Sequence, residues 1–199
     1  MSFETVEIFE EKMSSFFGSK FAVSTDSCTH AIELCLRINP PSKKIYFPKH
    51  TYIGIPMIAI KLNLEWDWND QEWSDYYFIE GTSIIDAAVL WKKNSYIDNT
   101  LMCISFQYQK HINIGRGGII LTNNYDLYKK LILMSYDGRL RNVPWRNQNI
   151  ETMGYHYYLT PESAKKGIEI FNQKKDLVPK KWTFKDYPDL SKMEVFNKK

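Results

Sequence analysis

The residues of this 199-residue chain best placed to do chemistry are Lys110, Asp86 and the turn Asp26-Ser27-Cys28-Thr29. Lys110 lies within residues 101–122, LMCISFQYQKHINIGRGGIILT. The apolar runs Leu101–Ile104 and Gly118–Leu121 read as buried strands, with a polar, glycine-containing loop between them. A lysine held against a core without joining it can lose its proton and become a nucleophile. The alternative is an ordinary lysine on a surface loop. Asp86 follows Ile84-Ile85 and precedes Ala87-Ala88. Its small neighbours would let something flat approach, and its carboxylate could pair with a cationic ring nitrogen; it could equally be a strand-end cap. The turn at 26–29 stands between a short strand and a helix. There, free backbone N–H groups and the Ser27 and Thr29 hydroxyls could bind phosphate, or Ser27 could serve as a plain N-cap.

The elements that must position these groups alternate. A helix is expected over residues 3–17, stopped by Gly18, then a strand at 21–24 and a helix at 29–37. Strands follow at 45–47, about 64–66, 76–79 and 82–86, with a helix over 52–62. After the central stretch come a helix at 125–134, a loop with Arg139, Arg141 and Arg146, and a helix from Thr160-Pro161-Glu162 to about Lys174. This order predicts an α/β fold with a mostly parallel sheet flanked by helices, whose ligands bind beyond the carboxyl ends of the strands. The three candidate groups all fall at such ends. Residues 176–199 have weak periodicity and read as a short tail.

Composition narrows the classes. With 44% hydrophobic and 25% charged residues the chain reads as a soluble globular protein. A net charge of +3 is too small and too dispersed to point to nucleic acid, and the paired lysines at 174–175, 180–181 and 198–199 read as solvated faces. No segment approaches the length of a membrane span, and the N-terminus lacks the order of a signal peptide. Cys28, Cys35 and Cys103 are odd in number and form no CxxC pair, so reduced thiols and a cytoplasmic location are expected. Four histidines without metal-ligand spacing predict no metal site.

The order phosphate turn, carboxylate, lysine resembles the large domain of the DegT/DnrJ/EryC1/StrS family of pyridoxal-phosphate-dependent sugar aminotransferases. The stretches that carry the resemblance are Phe17–Val23, Ser27-Cys28-Thr29-His30-Ala31, Phe47–Tyr52, Ile85-Asp86-Ala87-Ala88, Ser105–Lys110, Gly117-Gly118 with Thr122-Asn123, and Gly154–Tyr157. Together they cover about residues 8–175. The resemblance implies the large-domain fold of fold-type I transferases over residues 1–175, with 176–199 in place of most of the C-terminal domain. It implies that Lys110 forms the Schiff base with pyridoxal phosphate and moves the substrate proton, and that Asp86 pairs with the pyridine nitrogen. Tyr52 would stack on the ring. Cys28, Thr29 and Ser105 would hold the phosphate, and His156 would reach the phosphate of a partner subunit in a homodimer. The implied reaction moves an amino group from an amino acid, glutamate foremost, to a nucleotide-linked keto sugar for surface polysaccharide or amino-sugar biosynthesis. Lys110-His111 favours transamination over the family's dehydratase branch, which carries histidine in place of the lysine.

The chain departs from the family pattern at Val89, where a hydrogen-bonding residue is usual, at Cys28 and Arg116, each in place of the family's residue, and at Tyr158 in place of arginine. A β-α unit is missing between Trp66 and Ile84. These departures motivate the alternative of a non-catalytic relative acting as scaffold or partner subunit.

Overall fold

The two apolar runs around Lys110 become strands buried on both faces. A computed structural model describes residues 2–197, so the 198–199 lysine pair lies outside the described residues. In chain order the elements are α1 (Glu4–Phe17), β1 (Phe21–Thr25), α2 (Cys28–Ile38), β2 (Ile45–Pro48), α3 (Gly54–Lys61), β3 (Trp66–Asn69), β4 (Tyr77–Phe78), β5 (Ile84–Asp86), β6 (Leu101–Ser105), β7 (Gly118–Thr122), α4 (Tyr125–Ser135), α5 (Pro161–Lys174) and α6 (Glu194–Asn197). The caps read from sequence stand where expected. Gly18 ends α1 in the left-handed conformation, Ser27 caps α2, and Thr160 with Pro161 opens α5.

Side chains alternate across the sheet. Met102 and Ile104 of β6 face the core beneath α1 and α5, while Leu101 and Cys103 face the core beneath α2. The main sheet runs β1-β7-β6-β5-β4, with β2 and β3 as a separate parallel pair. The α/β class with flanking helices holds, but the sheet is mixed where a mostly parallel one was expected. Only the β5–β6 ladder is parallel within it; the β1–β7, β7–β6 and β5–β4 ladders are antiparallel, so β1, β5 and β6 share one direction and β7 and β4 the other. The cause lies in the connections. A parallel neighbour needs a crossover, and β6 is joined to β7 by the lysine loop alone, which returns the chain antiparallel. The third strand sits at 66–69, later than expected, because Trp66 to Asn69 pair with Ile45 to Pro48.

Two long-range features organise what the sequence left as polar surface and tail. Glu10 of α1 is buried and takes both nitrogens of the buried Arg141, at 2.7 and 3.0 Å, while the Ser24 amide and hydroxyl donate to the same carboxylate. This ties the arginine loop to α1 and β1. The chain after α5 turns back across the molecule. The Trp182 carbonyl accepts from the Asp75 amide, the Phe184 amide donates to the Trp73 carbonyl, and the Leu190 amide donates to the Lys49 carbonyl, each within 3.0 Å.

Removing one partner of a buried ion pair strands the other charge away from water. Arg141→Met should therefore destabilise the protein by about 3 kcal/mol or more, read from the urea midpoint. The double variant Glu10→Met, Arg141→Met should recover part of that loss, limited by the buried Ser24 amide and hydroxyl, which lose their acceptor.

Candidate active site

Asp86 ends β5 with its carboxylate almost wholly buried. One oxygen accepts from the Tyr77 hydroxyl at 2.7 Å and the other from the Ala88 amide at 3.0 Å. Tyr77, directly opposite Asp86 in the antiparallel ladder, shares its hydroxyl with Thr51. Burial raises the Asp86 carboxyl above its ordinary range, and the two hydrogen bonds and the charge of Lys110 oppose that rise. Burial and the neighbouring carboxylate push the Tyr77 phenol far up, so it remains a donor.

The lysine loop is folded back on itself. The Phe106 amide donates to the Gly117 carbonyl, the Tyr108 amide to Gly115, and the Lys110 amide to Gln107. Ile112 and Ile114 are buried beneath it and pin the loop to the core. Lys110 is thus fixed at the edge of the interior. Burial pulls its amine below the ordinary lysine value, with Asp86 opposing the fall and Lys180 adding to it. Its Nζ lies 4.7 Å from the centroid of the Trp182 ring.

At the start of α2, the Ser27 hydroxyl accepts from the His30 amide at 3.2 Å, so Ser27 is the N-cap. This leaves the Cys28 and Thr29 amides in the first turn, where a helix has no internal acceptors for its N–H groups. The cysteine in place of glycine does not block the turn. The buried Cys28 side chain packs with the core under α2, and Gly118 supplies the room, since a Cβ there would come within 2.4 Å of the Cys28 nitrogen. Burial raises the Cys28 thiol well above its ordinary value and keeps it neutral. Tyr52 holds its half-exposed ring over Gly54, where a Cβ would come within 2.9 Å of the ring.

A cavity of about 610 Å³ brings together Cys28, Thr29, Tyr52, Asp86, Ser105 and Lys110. Val89 also lines it, adding an apolar patch. His156 lies apart, exposed, with its Nδ1 2.9 Å from Asp137. Sequence reasoning missed Tyr77, which sets the Asp86 carboxylate, and the aromatic wall of Trp73, Trp182 and Tyr187. The signal for Tyr77 was its place in a strand next to that of Asp86. Trp182 and Tyr187 had no periodic signal, because their segment is fixed by a 3-10 turn, Phe184–Asp186, with Thr183 and Asp186 capping each other.

The donor set suits a phosphorylated, cationic-ring cofactor with an aldehyde. An amine of lowered pKa, a buried carboxylate, a helix start with a threonine hydroxyl, and an aromatic ring share one cavity. The profile of the DegT/DnrJ/EryC1/StrS aminotransferase family, whose members depend on pyridoxal phosphate, matches residues 1–76 and 93–183. Asp86 and Val89 fall between the matched stretches, so the assignment of Asp86 rests on its register beside β6 and its place in the cavity. An uncharacterized protein of Methanocaldococcus jannaschii is 23% identical over 80% of this chain and 55% of its own length. Among solved structures, the sugar aminotransferase CalS13 of Micromonospora echinospora superposes with a TM-score of 0.72 at 14% identity, over 87% of this chain and 61% of that one. A GDP-4-keto-6-deoxymannose-3-dehydratase superposes with a TM-score of 0.68 at 18% identity, over 86% and 61%. These likenesses show the shared fold, and this chain spans 55 to 61% of the length of each relative. With the family profile matched along most of the sequence, the chain belongs to the DegT/DnrJ/EryC1/StrS aminotransferase family.

Proposed function

We propose that this chain is a pyridoxal-phosphate-dependent aminotransferase that moves an amino group from an amino acid, glutamate foremost, to a nucleotide-linked keto sugar. The observation that carries the reading is the pairing, in one cavity, of a lysine whose amine is depressed by burial with a buried carboxylate held by Tyr77. A scaffold needs neither. Bound there, pyridoxal phosphate supplies an electron sink for charge that develops on the substrate carbon. The Cys28 and Thr29 amides and the Thr29 and Ser105 hydroxyls hold the phosphate. The Asp86 carboxylate holds a proton at the ring nitrogen. Tyr52 covers a face of the ring and excludes water from it. Lys110 Nζ, neutral more often than an ordinary lysine, would hold the cofactor's aldehyde end and would accept and return the substrate proton.

Residues 1–175 form the cofactor-binding body in this proposal and 176–199 the residual tail, of which 176–197 are described and turn back against that body. His156, exposed and outside this protomer's cavity, is available to a second copy in a homodimer. Sugar-nucleotide pathways of surface polysaccharides are the proposed setting, in the cytoplasm; among the described residues no helix is long and apolar enough to cross a membrane. The alternative of a partner subunit without turnover is favoured by Val89, which lines the cavity and cannot hydrogen-bond to the cofactor's ring hydroxyl.

Purified protein mixed with pyridoxal phosphate should develop a visible absorbance band, and borohydride should trap the adduct on the peptide containing Lys110. Lys110→Ala should abolish both, and absence of the band from wild-type protein would overturn the reading. A clear band with no amino transfer from glutamate to any keto-sugar nucleotide would select the partner-subunit alternative.

Asp86→Asn should lower transfer by roughly 100-fold or more, because the ring nitrogen loses its compensating charge. The Asp86 charge also raises the Lys110 pKa, so its removal lowers that value further. The pH midpoint for band formation should then move down in Asp86→Asn; a midpoint that stays in place or moves up would contradict the coupling.

A further inference from the structure

Two phenols belong to the surroundings of Asp86, and the protein uses only one of them. The Tyr77 hydroxyl donates to the Asp86 carboxylate and is shared with Thr51. The other is Tyr187, which lines the same cavity and comes from the returning segment after α5. Its ring packs against Trp73 with centroids 5.4 Å apart, and Trp73 packs against Tyr77 at 5.5 Å, so one aromatic cluster joins the two phenols. Trp182, with its ring centroid 6.2 Å from that of Tyr187, also lines an adjoining cavity of about 270 Å³, which shares Lys110 and Val89 with the first. The backbone of Tyr187 is fixed at both ends. Its amide donates to the Phe184 carbonyl at 3.2 Å, and its carbonyl accepts from the His50 ring at 2.8 Å. The side chain is half-buried, yet its hydroxyl has no hydrogen-bond partner among the described residues. Nor is that oxygen sealed off, since the buried side-chain atoms without partners are Nε of Arg139 and Nε of Arg141. Burial pushes the Tyr187 phenol up, and the charge of Asp86 adds to the rise. The group stays protonated, a spare donor within the field of the carboxylate that also acts on Lys110.

We propose that the Tyr187 phenol donates a hydrogen bond to the ring oxygen of a pyridoxal-type cofactor, so that the returning segment supplies a cofactor-binding residue. This rests on the cofactor reading above and adds to it a contact that reading lacks. Asp86 answers the ring nitrogen, Lys110 the aldehyde and the start of α2 the phosphate. The ring oxygen lies on the edge between the nitrogen and the aldehyde, hence between the groups held by Asp86 and by Lys110. Taken out of water without a donor, it would be costly to bind. Val89 lines the cavity and offers it no hydrogen bond. A neutral phenol suits the task. It stabilises an oxygen carrying negative charge through a charge-assisted hydrogen bond, and it brings no charge of its own to disturb Asp86 and Lys110.

The test needs no turnover. Pyridoxal phosphate and 3-deoxypyridoxal phosphate, which lacks the ring oxygen, are each titrated into cofactor-free wild type and Tyr187→Phe. Binding is followed by quenching of the fluorescence of Trp73 and Trp182, which line the cavity. Tyr187→Phe should weaken pyridoxal phosphate by about tenfold, the scale of a hydrogen bond to a charged group. The same variant should bind the deoxy compound as tightly as wild type does. The urea midpoint of the cofactor-free variant should match that of wild type, because the hydroxyl makes no hydrogen bond within the described protein. Equal weakening of both compounds would assign the phenol to the phosphate or to packing and overturn the proposal, as would unchanged affinity for pyridoxal phosphate. Wild-type binding that Tyr187→Phe leaves untouched sinks the Tyr187 contact alone. Failure of wild type to bind either compound sinks the cofactor reading, and this contact with it.

Discussion

A carboxylate buried at the end of a strand is costly unless its oxygens are partnered, and the site is built around meeting that cost at Asp86. The Tyr77 hydroxyl and the Ala88 amide supply the partners, and Thr51 holds Tyr77 in turn. This chain of hydrogen bonds links the edge strand β4, the end of β5 and the loop before α3. It leaves the carboxylate facing a cavity and electrostatically coupled to Lys110 across it. The two groups bias each other in opposite directions: burial disfavours charge on both, and each favours charge on the other. A site of this kind is sensitive to anything that changes either charge, which is what reversible proton handling requires.

Much of this was legible in sequence because the information is local. Gly18, Ser27 and the Thr160-Pro161 pair mark helix ends by their own backbone requirements, and the structure places those ends within a residue or two. The apolar runs at 101–104 and 118–121 read as buried strands, and the structure has them so. The cavity gathers six of the seven residues singled out beforehand, because each stands at the carboxyl end of a strand or the start of a helix. His156 alone falls outside it in this protomer.

What could not be read depends on partners far apart in the chain. Glu10 and Arg141 are 131 positions apart, and neither looks other than polar and exposed in its own neighbourhood. Strand direction was misjudged for a similar reason. Alternating strands and helices favour parallel pairing on average, but the loop after β6 contains no helix and turns the chain straight back. Trp182 and Tyr187 lie among lysines and prolines with no period, and only their hydrogen bonds to 73–75 and 49–50 bring them to the site.

That returning segment carries a consequence for motion. Its backbone hydrogen bonds to residues 49, 73 and 75 join it to loops and not to the buried ladders of β6 and β7. Detachment is opposed as well by the buried Leu190 and by Phe184 and Tyr187, which pack against the core beneath α2. Detachment would carry away Trp182, the partition shared by both cavities, while leaving Lys110, Asp86 and the first turn of α2 in place. The wall that meets a bound molecule and the frame that aligns the reacting groups thus belong to different parts of the chain.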